Sequence, residues 1–397
     1  MTTHRKPSGR LDGMRESQIR EMTRLALECD AINLSQGFPD FDPPEEVQEA
    51  AARAVRDGVN QYTVTWGTPA LRQAIATSLR DRYQPAFDWL DPDRHVTVTC
   101  GVTEAIVSVL MSVIEDGDEV LIIEPAHENY GPATRFAGGT PVFVPLLPPD
   151  YPLDIERVRA AVTARTKVIL VNTPNNPTGR VFTQRELESI ADLVREHDLL
   201  VVTDEIYDRI LYDGRPHIPI ATLAGMDERT ITVGGLGKTF AMTGWRLGYA
   251  VAHSGWSTAL RTIHDFTTIC APAPLQEAAV TALGLPESFY ERQLEDYHAR
   301  RESIMATLAT TGFEAAAPEG AYYVLANYRG WNTELNAREF ARWLTRTVGV
   351  AVVDGPSFYE TSGLGEGLVR FAFAKKLETL ERVRETLTKG FREFAKG

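Results

Sequence analysis

From His95 to Tyr207 the chain repeats one unit: an apolar run, a turn carrying polar residues, and a helical pattern. Val96-Thr97-Val98-Thr99-Cys100 alternates as a strand does, Gly101-Val102-Thr103 makes the turn, and Glu104 to Ile114 has helical periodicity. Val120 to Ile123, Lys167 to Val171 and Leu199 to Thr203 are further near-continuous apolar strands, and Pro141 to Pro145 is a short extended piece. Between the last two long strands, Thr183 and Glu186 spell a capping box for a helix ending at His197. Strands of this kind alternating with helices specify a parallel sheet covered on both faces. Ligands of such sheets bind beyond the carboxyl ends of the strands. The turns at 101–103, 124–127, 172–179 and 204–207 all fall on that edge, so the expectation is an α/β fold with its site there.

The flanks add helices and a second set of strands. Ile19, Met22, Leu25 and Ala26 recur at helical spacing within Gly13 to Glu28, and Glu45 to Arg56 reads as a helix. Thr68-Pro69 is an N-cap followed by proline at the first helical position. Residues 1–12 read as a polar, loose lead-in, and Ile32 to Pro44 as an apolar segment running into a Gly/Pro/Asp loop. After Tyr249 the pattern is helical to about Leu308. Gly320 to Leu325 and Leu368 to Phe373 then read as strands, with helices at 336–347 and 377–396. A chain of 397 residues has room for more than one domain.

Composition narrows the partners. The formal charge of −13 argues against nucleic acid or an anionic membrane surface. Cys29, Cys100 and Cys270 are far apart and lack metal-ligand spacing, which predicts free thiols and no metal centre. The N-terminus lacks the apolar core of a secretory signal and no apolar run approaches a membrane span, so a cytoplasmic protein is expected.

Most of the chemistry lies in Val233 to Tyr249, VGGLGKTFAMTGWRLGY. Gly234, Gly235 and Gly237 let a backbone pass close to something bound. Lys238 offers an amine that is nucleophilic once desolvated, and Arg246 a forked, permanent charge suited to phosphate. Gly237-Lys238-Thr239 ends like a nucleotide-binding P-loop, but that motif needs glycine where Thr232 stands. A solvated lysine in a glycine-rich loop is the plain alternative. The Gly101–Thr103 turn opens a helix and is a ready anion site, although such turns also occur with nothing bound. Asp204 leaves a buried strand and needs a partner. Asn172 to Gly179, with two prolines and a glycine, is a turn in any protein.

Taken in order from about Asn33 to Phe373, these segments resemble the pyridoxal 5'-phosphate (PLP)-dependent class I aminotransferases of fold type I, nearest the kynurenine, methionine and glutamine branch. The order is more specific than any single motif. The resemblance implies a large domain over 46–290, with a mainly parallel seven-stranded-type sheet covered by helices. A smaller α+β domain would be built from an N-terminal arm and segment, 1–45, and from 291–397, as in aspartate aminotransferase-like folds. It also implies roles. Lys238 would carry PLP covalently and move the substrate proton, and Asp204 would pair with the pyridine nitrogen, favouring the protonated, electron-withdrawing ring. Tyr207 and Asn176 would hydrogen-bond the ring's phenolic oxygen, and His127 would stack on the ring. Gly101, Val102, Thr103 and Arg246 would hold the phosphate, completed by Tyr62 across a homodimer interface. Arg370, with Asn176 and the Gly37 backbone, would bind the substrate α-carboxylate, and Ile19 would line the side-chain pocket. The implied reaction moves an amino group from an amino acid to a 2-oxo acid. The alternative on the same scaffold is β- or γ-elimination, replacement or ring formation. A PLP-sensing regulatory domain would need a basic DNA-binding segment in front, and residues 1–30 are too short for one.

Three positions depart from the family pattern. Relatives commonly have a serine three residues before the lysine, where this chain has Gly235, so one phosphate contact is expected to be missing. The ring-stacking residue is usually aromatic; His127 stacks too, but an imidazole titrates near neutrality and has acid–base work as an option. The segment often reading Pro-Gly-Ser is Asp354-Gly355-Pro356-Ser357 here. For the donor, one subgroup of acidic-substrate relatives has a lysine at the position of Thr103. Thr103 and Ile19 carry no charge, and an unpaired carboxylate buried against them is costly. A neutral donor, aromatic or methionine-like, is therefore expected, with a helix-borne arginine, Arg261 or Arg292, supplied by a partner subunit as the reservation.

Overall fold

The computed structural model describes residues 8, 11, 14 and 16–396. The lead-in expected over 1–12 lies outside these, Ser8 and Leu11 apart. In chain order the strands are β1 (Ile32–Asn33), β2 (Val96–Thr99), β3 (Glu119–Glu124), β4 (Thr140–Pro145), β5 (Thr166–Asn172), β6 (Leu200–Asp204), β7 (Thr230–Gly235), β8 (Gly248–Val251), β9 (Tyr323–Asn327), β10 (Val350–Ala351), β11 (Val353–Asp354) and β12 (Leu368–Ala372). Seven form one sheet in the order β2-β8-β7-β6-β5-β3-β4. Only β8 runs against its neighbours, β2 and β7; the remaining pairings are parallel. The strands β2, β3 and β6 are buried along their whole length, which is why β3 and β6 read as near-continuous apolar runs, while β2 buries the two threonines of its alternating pattern as well.

The helical pattern expected directly after Tyr249 begins later than that. Gly248 to Val251 is the antiparallel strand β8, and the helices Ser254–Thr267, Ala273–Leu283 and Glu287–Thr310 follow. A four-residue strand opening on glycine gives no period to detect, and the glycine is structural: a Cβ on Gly248 would come 2.6 Å from the Gly101 carbonyl carbon. The helix read from Glu104 starts two residues earlier and spans Val102–Val113, so the Gly101–Thr103 turn is itself the helix N-terminus. Elsewhere the local signals hold. Thr183 and Glu186 form both halves of the capping box of Gln184–Glu196, and Thr68 accepts from Leu71 N at the start of Pro69–Arg82.

The two ends of the chain fold together. β1 pairs with β10, and β11-β12-β9 form a small antiparallel sheet. Met22, Leu25 and Leu34 share one apolar cluster with Trp331, Phe340, Phe371 and Phe373. Each of those three buried phenylalanines contributes roughly 1.5–3 kcal/mol. The same cluster includes Tyr207, Tyr322 and Tyr323, so it borders the carboxyl edge of the large sheet, where β6 ends.

Candidate active site

One cavity at that edge is lined by Gly101, Val102, Thr103, His127, Asn176, Asp204, Tyr207, Lys238 and Arg246, nine of the residues singled out in the sequence. Gly37, Arg370, Ile19 and Tyr62 are not in its lining. Gly37 meets it through its carbonyl, which accepts from Lys238 Nζ at 2.8 Å. Arg370 meets it through Asn176, donating Nη1 to Oδ1 at 2.9 Å. Ile19 sits one layer back, packed with Val353 and Phe358. Tyr62 is on the outer surface, 79% exposed.

At one end of the cavity lies an anion cradle. Gly101 turns the chain at φ 82, the following helix has no side-chain cap, and its first residues, Val102 and Thr103, line the cavity with Gly101. Arg246, in the left-handed region at φ 58, donates to Thr243 O at 3.0 Å and lies over Gly101, where a Cβ would sit 2.5 Å from Nη2. A helix N-terminus and a guanidinium converge on one point, which suits a phosphate.

Asp204 lies deeper, at the end of β6. It is buried, accepts from Tyr130 OH at 2.8 Å and from Ile206 N at 3.2 Å, and no cation lies within 4.0 Å among the described residues. Burial raises its pKa to about 6, against the pull of Tyr130, Ile206 and Lys238. Asn172 stitches this region, donating to Asp204 O at 2.9 Å and accepting from Asn176 N at 2.8 Å.

Lys238 extends between two aromatic faces, 6.0 Å from the Tyr207 ring centre and 5.7 Å from that of Tyr322, to reach Gly37 O. Tyr322 OH donates to the same carbonyl at 3.0 Å, and Tyr207 OH pairs with Tyr323 OH at 2.9 Å. A Cβ on Gly37 would overlap the Tyr323 hydroxyl, so glycine is required there. Burial, then Tyr323 and Tyr322, push the Tyr207 pKa well up, so its hydroxyl stays protonated.

Arg370 is fully buried between Tyr323, 4.5 Å, and Phe358, 4.8 Å. It donates to Asn176 and to Ser35 O, and among the described residues its Nε has no partner and no carboxylate lies within 4.0 Å. Burial lowers its pKa from the ordinary guanidinium value.

The departures have physical explanations. Burial, then Arg370, Lys238 and Arg20, drive the His127 pKa down to about 3. Burial thus favours the neutral ring, in line with stacking rather than acid–base work. Its Nδ1 accepts from Asn129 N at 3.2 Å, which puts the ring hydrogen on Nε2. A Cβ at Gly235 would meet Ile206 Cδ1 at 2.5 Å, so an isoleucine methyl occupies the space a serine would need. Ser357 donates to Asp354 at 2.8 Å in a short turn of 3-10 helix, Gly355–Phe358. Arg261 is committed to Asp93 O, Val96 O and Thr97 at the amino end of β2, away from the cavity, while Arg292 is exposed on Glu287–Thr310.

Sequence reasoning passed over Tyr130, Asn172, Tyr322 and Tyr323. Tyr130 follows His127 by three residues, but nothing in the local pattern ties residue 130 to residue 204. Tyr322 and Tyr323 stood inside a segment read only as a strand.

A family model described as aminotransferase class I and II matches residues 30–387. The chain belongs to that family. It is 37% identical over 390 residues to an aspartate aminotransferase of Pyrococcus abyssi, covering 97% of this chain and 98% of the other. It is 33% identical over 406 residues to kynurenine–oxoglutarate transaminase 3 of Homo sapiens, covering 95% and 89%. Among solved structures, N-succinyldiaminopimelate aminotransferase from Mycobacterium tuberculosis superposes with a TM-score of 0.93 at 35% identity, covering 96% of this chain and 99% of that one. The protein is an aminotransferase with the aspartate aminotransferase-like fold.

Proposed function

We propose that this aminotransferase holds PLP in the cavity and moves the amino group of a neutral L-amino acid, aromatic or methionine-like, to a 2-oxo acid. Asp204 carries the reading: a buried carboxylate with no cation within 4.0 Å among the described residues, lining the same cavity as Lys238. Such a charge is expensive unless a ligand supplies the counter-charge. PLP, when bound, supplies a cationic ring that draws off the electron pair left at a substrate α-carbon. The residues fit it. The uncapped N–H groups after Gly101, with Arg246, would hold its phosphate. Asp204, fixed by Tyr130, would face its ring nitrogen. Tyr207 would donate to its phenolic oxygen, and so would the Asn176 amide, whose Oδ1 is taken by Arg370. His127, neutral, would stack and hold no mobile proton.

Lys238 would bond PLP through Nζ, then take and return the proton at the substrate α-carbon, a step that needs the neutral amine. Leaving the Gly37 carbonyl for that task strands no acceptor, because Tyr322 OH donates there as well. Arg370 would bind the α-carboxylate, using a buried Nε that has no other partner. Each site would be completed by the partner's Tyr62.

The relatives' names span aspartate and kynurenine substrates, so donor choice rests on the cavity. Lys238 and Arg246 are the cations of its lining, and both have work to do; Thr103 is uncharged and accepts from Asn129 Nδ2 at 3.3 Å. Within that lining a second substrate carboxylate would find no cation free to pair with it. The test is kcat/KM for methionine, phenylalanine, glutamine and aspartate with 2-oxoglutarate. Neutral donors should lead, and a clear lead for aspartate would overturn the preference. Ammonia released without a 2-oxo acid would instead indicate elimination.

A further inference from the structure

The segment Ser35–Phe38 is gripped from both sides by cations of one short stretch of chain. Ser35 O accepts from Arg370, in β12, and Phe38 O accepts from Lys375 Nζ at 2.8 Å, five residues later. Lys375 is 3% exposed, and its ammonium lies 4.1 Å from the centre of the Phe38 ring. Around it the loop is fastened further. Lys376 N and Thr379 Oγ1 each donate to Asp40 at 2.6 Å, and Arg300 stacks on Phe41 at 4.6 Å while donating Nε to Lys375 O at 2.8 Å. Gly37 lies between the two grips and sends its carbonyl into the site. Burying an ammonium is costly, and here its two contacts both go to the residue after Gly37.

We propose that Lys375 is a positioning residue for substrate binding: it fixes the Gly37–Phe38 backbone beside Arg370 so that the Gly37 N–H, rather than its carbonyl, and the Arg370 guanidinium meet one carboxylate. This rests on the carboxylate role given to Arg370 and Gly37 above. Burial lowers the Lys375 pKa to about 8, opposed by Asp40. The charged groups around it are Asp40 of the loop, Lys376 beside it, and Arg300, paired with Asp296 at 3.7 Å, from Glu287–Thr310. The ammonium is present below about pH 8 and is lost above it, so the grip should weaken as pH rises through that value.

The experiment compares PLP-loaded wild type, Lys375→Met and Lys375→Arg, using a 2-oxo acid, which has no amine to titrate. Lys375→Met should raise KM about tenfold near neutrality with kcat within about twofold. Lys375→Arg should restore KM and abolish the rise expected of wild type above pH 8. Kd for an unreactive monocarboxylate, by calorimetry, should follow KM. An unchanged KM in Lys375→Met, kcat falling by as large a factor as KM rises, or the same alkaline rise in Lys375→Arg would each overturn the proposal. Should Lys375→Met not fold, the pH profile of Lys375→Arg decides alone. A wild type with no transamination would fail the functional reading instead, and the monocarboxylate Kd would still test Lys375.

Discussion

Burial holds the Asp204 carboxyl near pKa 6, above its ordinary 3.8, although Tyr130 and Ile206 both donate to it. A folded-state pKa above the unfolded one means that the fold is unpenalised below about pH 4 and loses stability as pH rises through 6. At neutral pH the cost is at most ~3 kcal/mol. Asp204→Asn keeps an oxygen for Tyr130 and removes the charge. It should therefore make the PLP-free protein more stable than wild type at neutral pH, with the difference shrinking towards pH 4, while turnover falls by at least about a hundredfold, ~2.7 kcal/mol. Urea unfolding at the two pH values checks the first half; a stability difference that does not change with pH would sink it. The position of Asp204 was legible because an acid ending a buried strand demands a reason. Its supports were not. Tyr130 and Asn172 act on it across strands, and a linear pattern carries no record of who faces whom after folding.

The turn from β2 into Val102–Val113 is an element whose shape depends on two glycines from distant parts of the chain. Gly101 needs φ 82 and room for Arg246; Gly248 lets β8 lie against it. Gly101→Ala adds a Cβ at 2.5 Å from the guanidinium in a backbone conformation that disfavours it. The prediction is about a tenfold or greater loss of affinity for PLP and for inorganic phosphate, with pyridoxal, which lacks the phosphate, affected far less. Equal losses for PLP and pyridoxal would show that the turn is not the phosphate cradle. As a contrast, Thr183→Ala removes the cap of Gln184–Glu196, outside the cavity lining, and should cost ~1 kcal/mol of stability with KM unchanged, as thermal unfolding and kinetics would show. Caps and apolar strands were legible because they are written in neighbouring residues. β8 was not, because it shows no alternation of the kind β2 has and opens on a glycine placed by a distant turn.

For the whole molecule, the union of the chain ends was visible only through resemblance to a family, since β1 on β10 and the Ala372 N–Leu34 O bond at 2.8 Å join residues more than three hundred positions apart. The surface raises a further question. Tyr62 is 79% exposed and Phe266 86%, and their segments are tied together: Thr65 Oγ1 donates to Asp265 at 3.2 Å and His264 Nε2 donates to Thr65 O at 3.0 Å. Val64 and Ile269 add to this exposed apolar surface, the kind of patch that a second subunit covers. If a homodimer forms and the partner's Tyr62 completes each site, then damage to Tyr62 and damage to Lys238 fall in different sites of a mixed dimer. Take Lys238→Ala in one subunit and Tyr62→Ala in the other. One site then lacks both residues, while the other has its own Lys238 and the partner's Tyr62. Random reassociation of equal amounts makes half the dimers mixed, so about a quarter of all sites are undamaged. Activity should rise on mixing to about a quarter of wild type, above the average of the two variants alone. Were Tyr62 to act within its own subunit, every site would remain damaged and mixing would give only that average. Sedimentation showing a fully active monomer would refute the shared site outright.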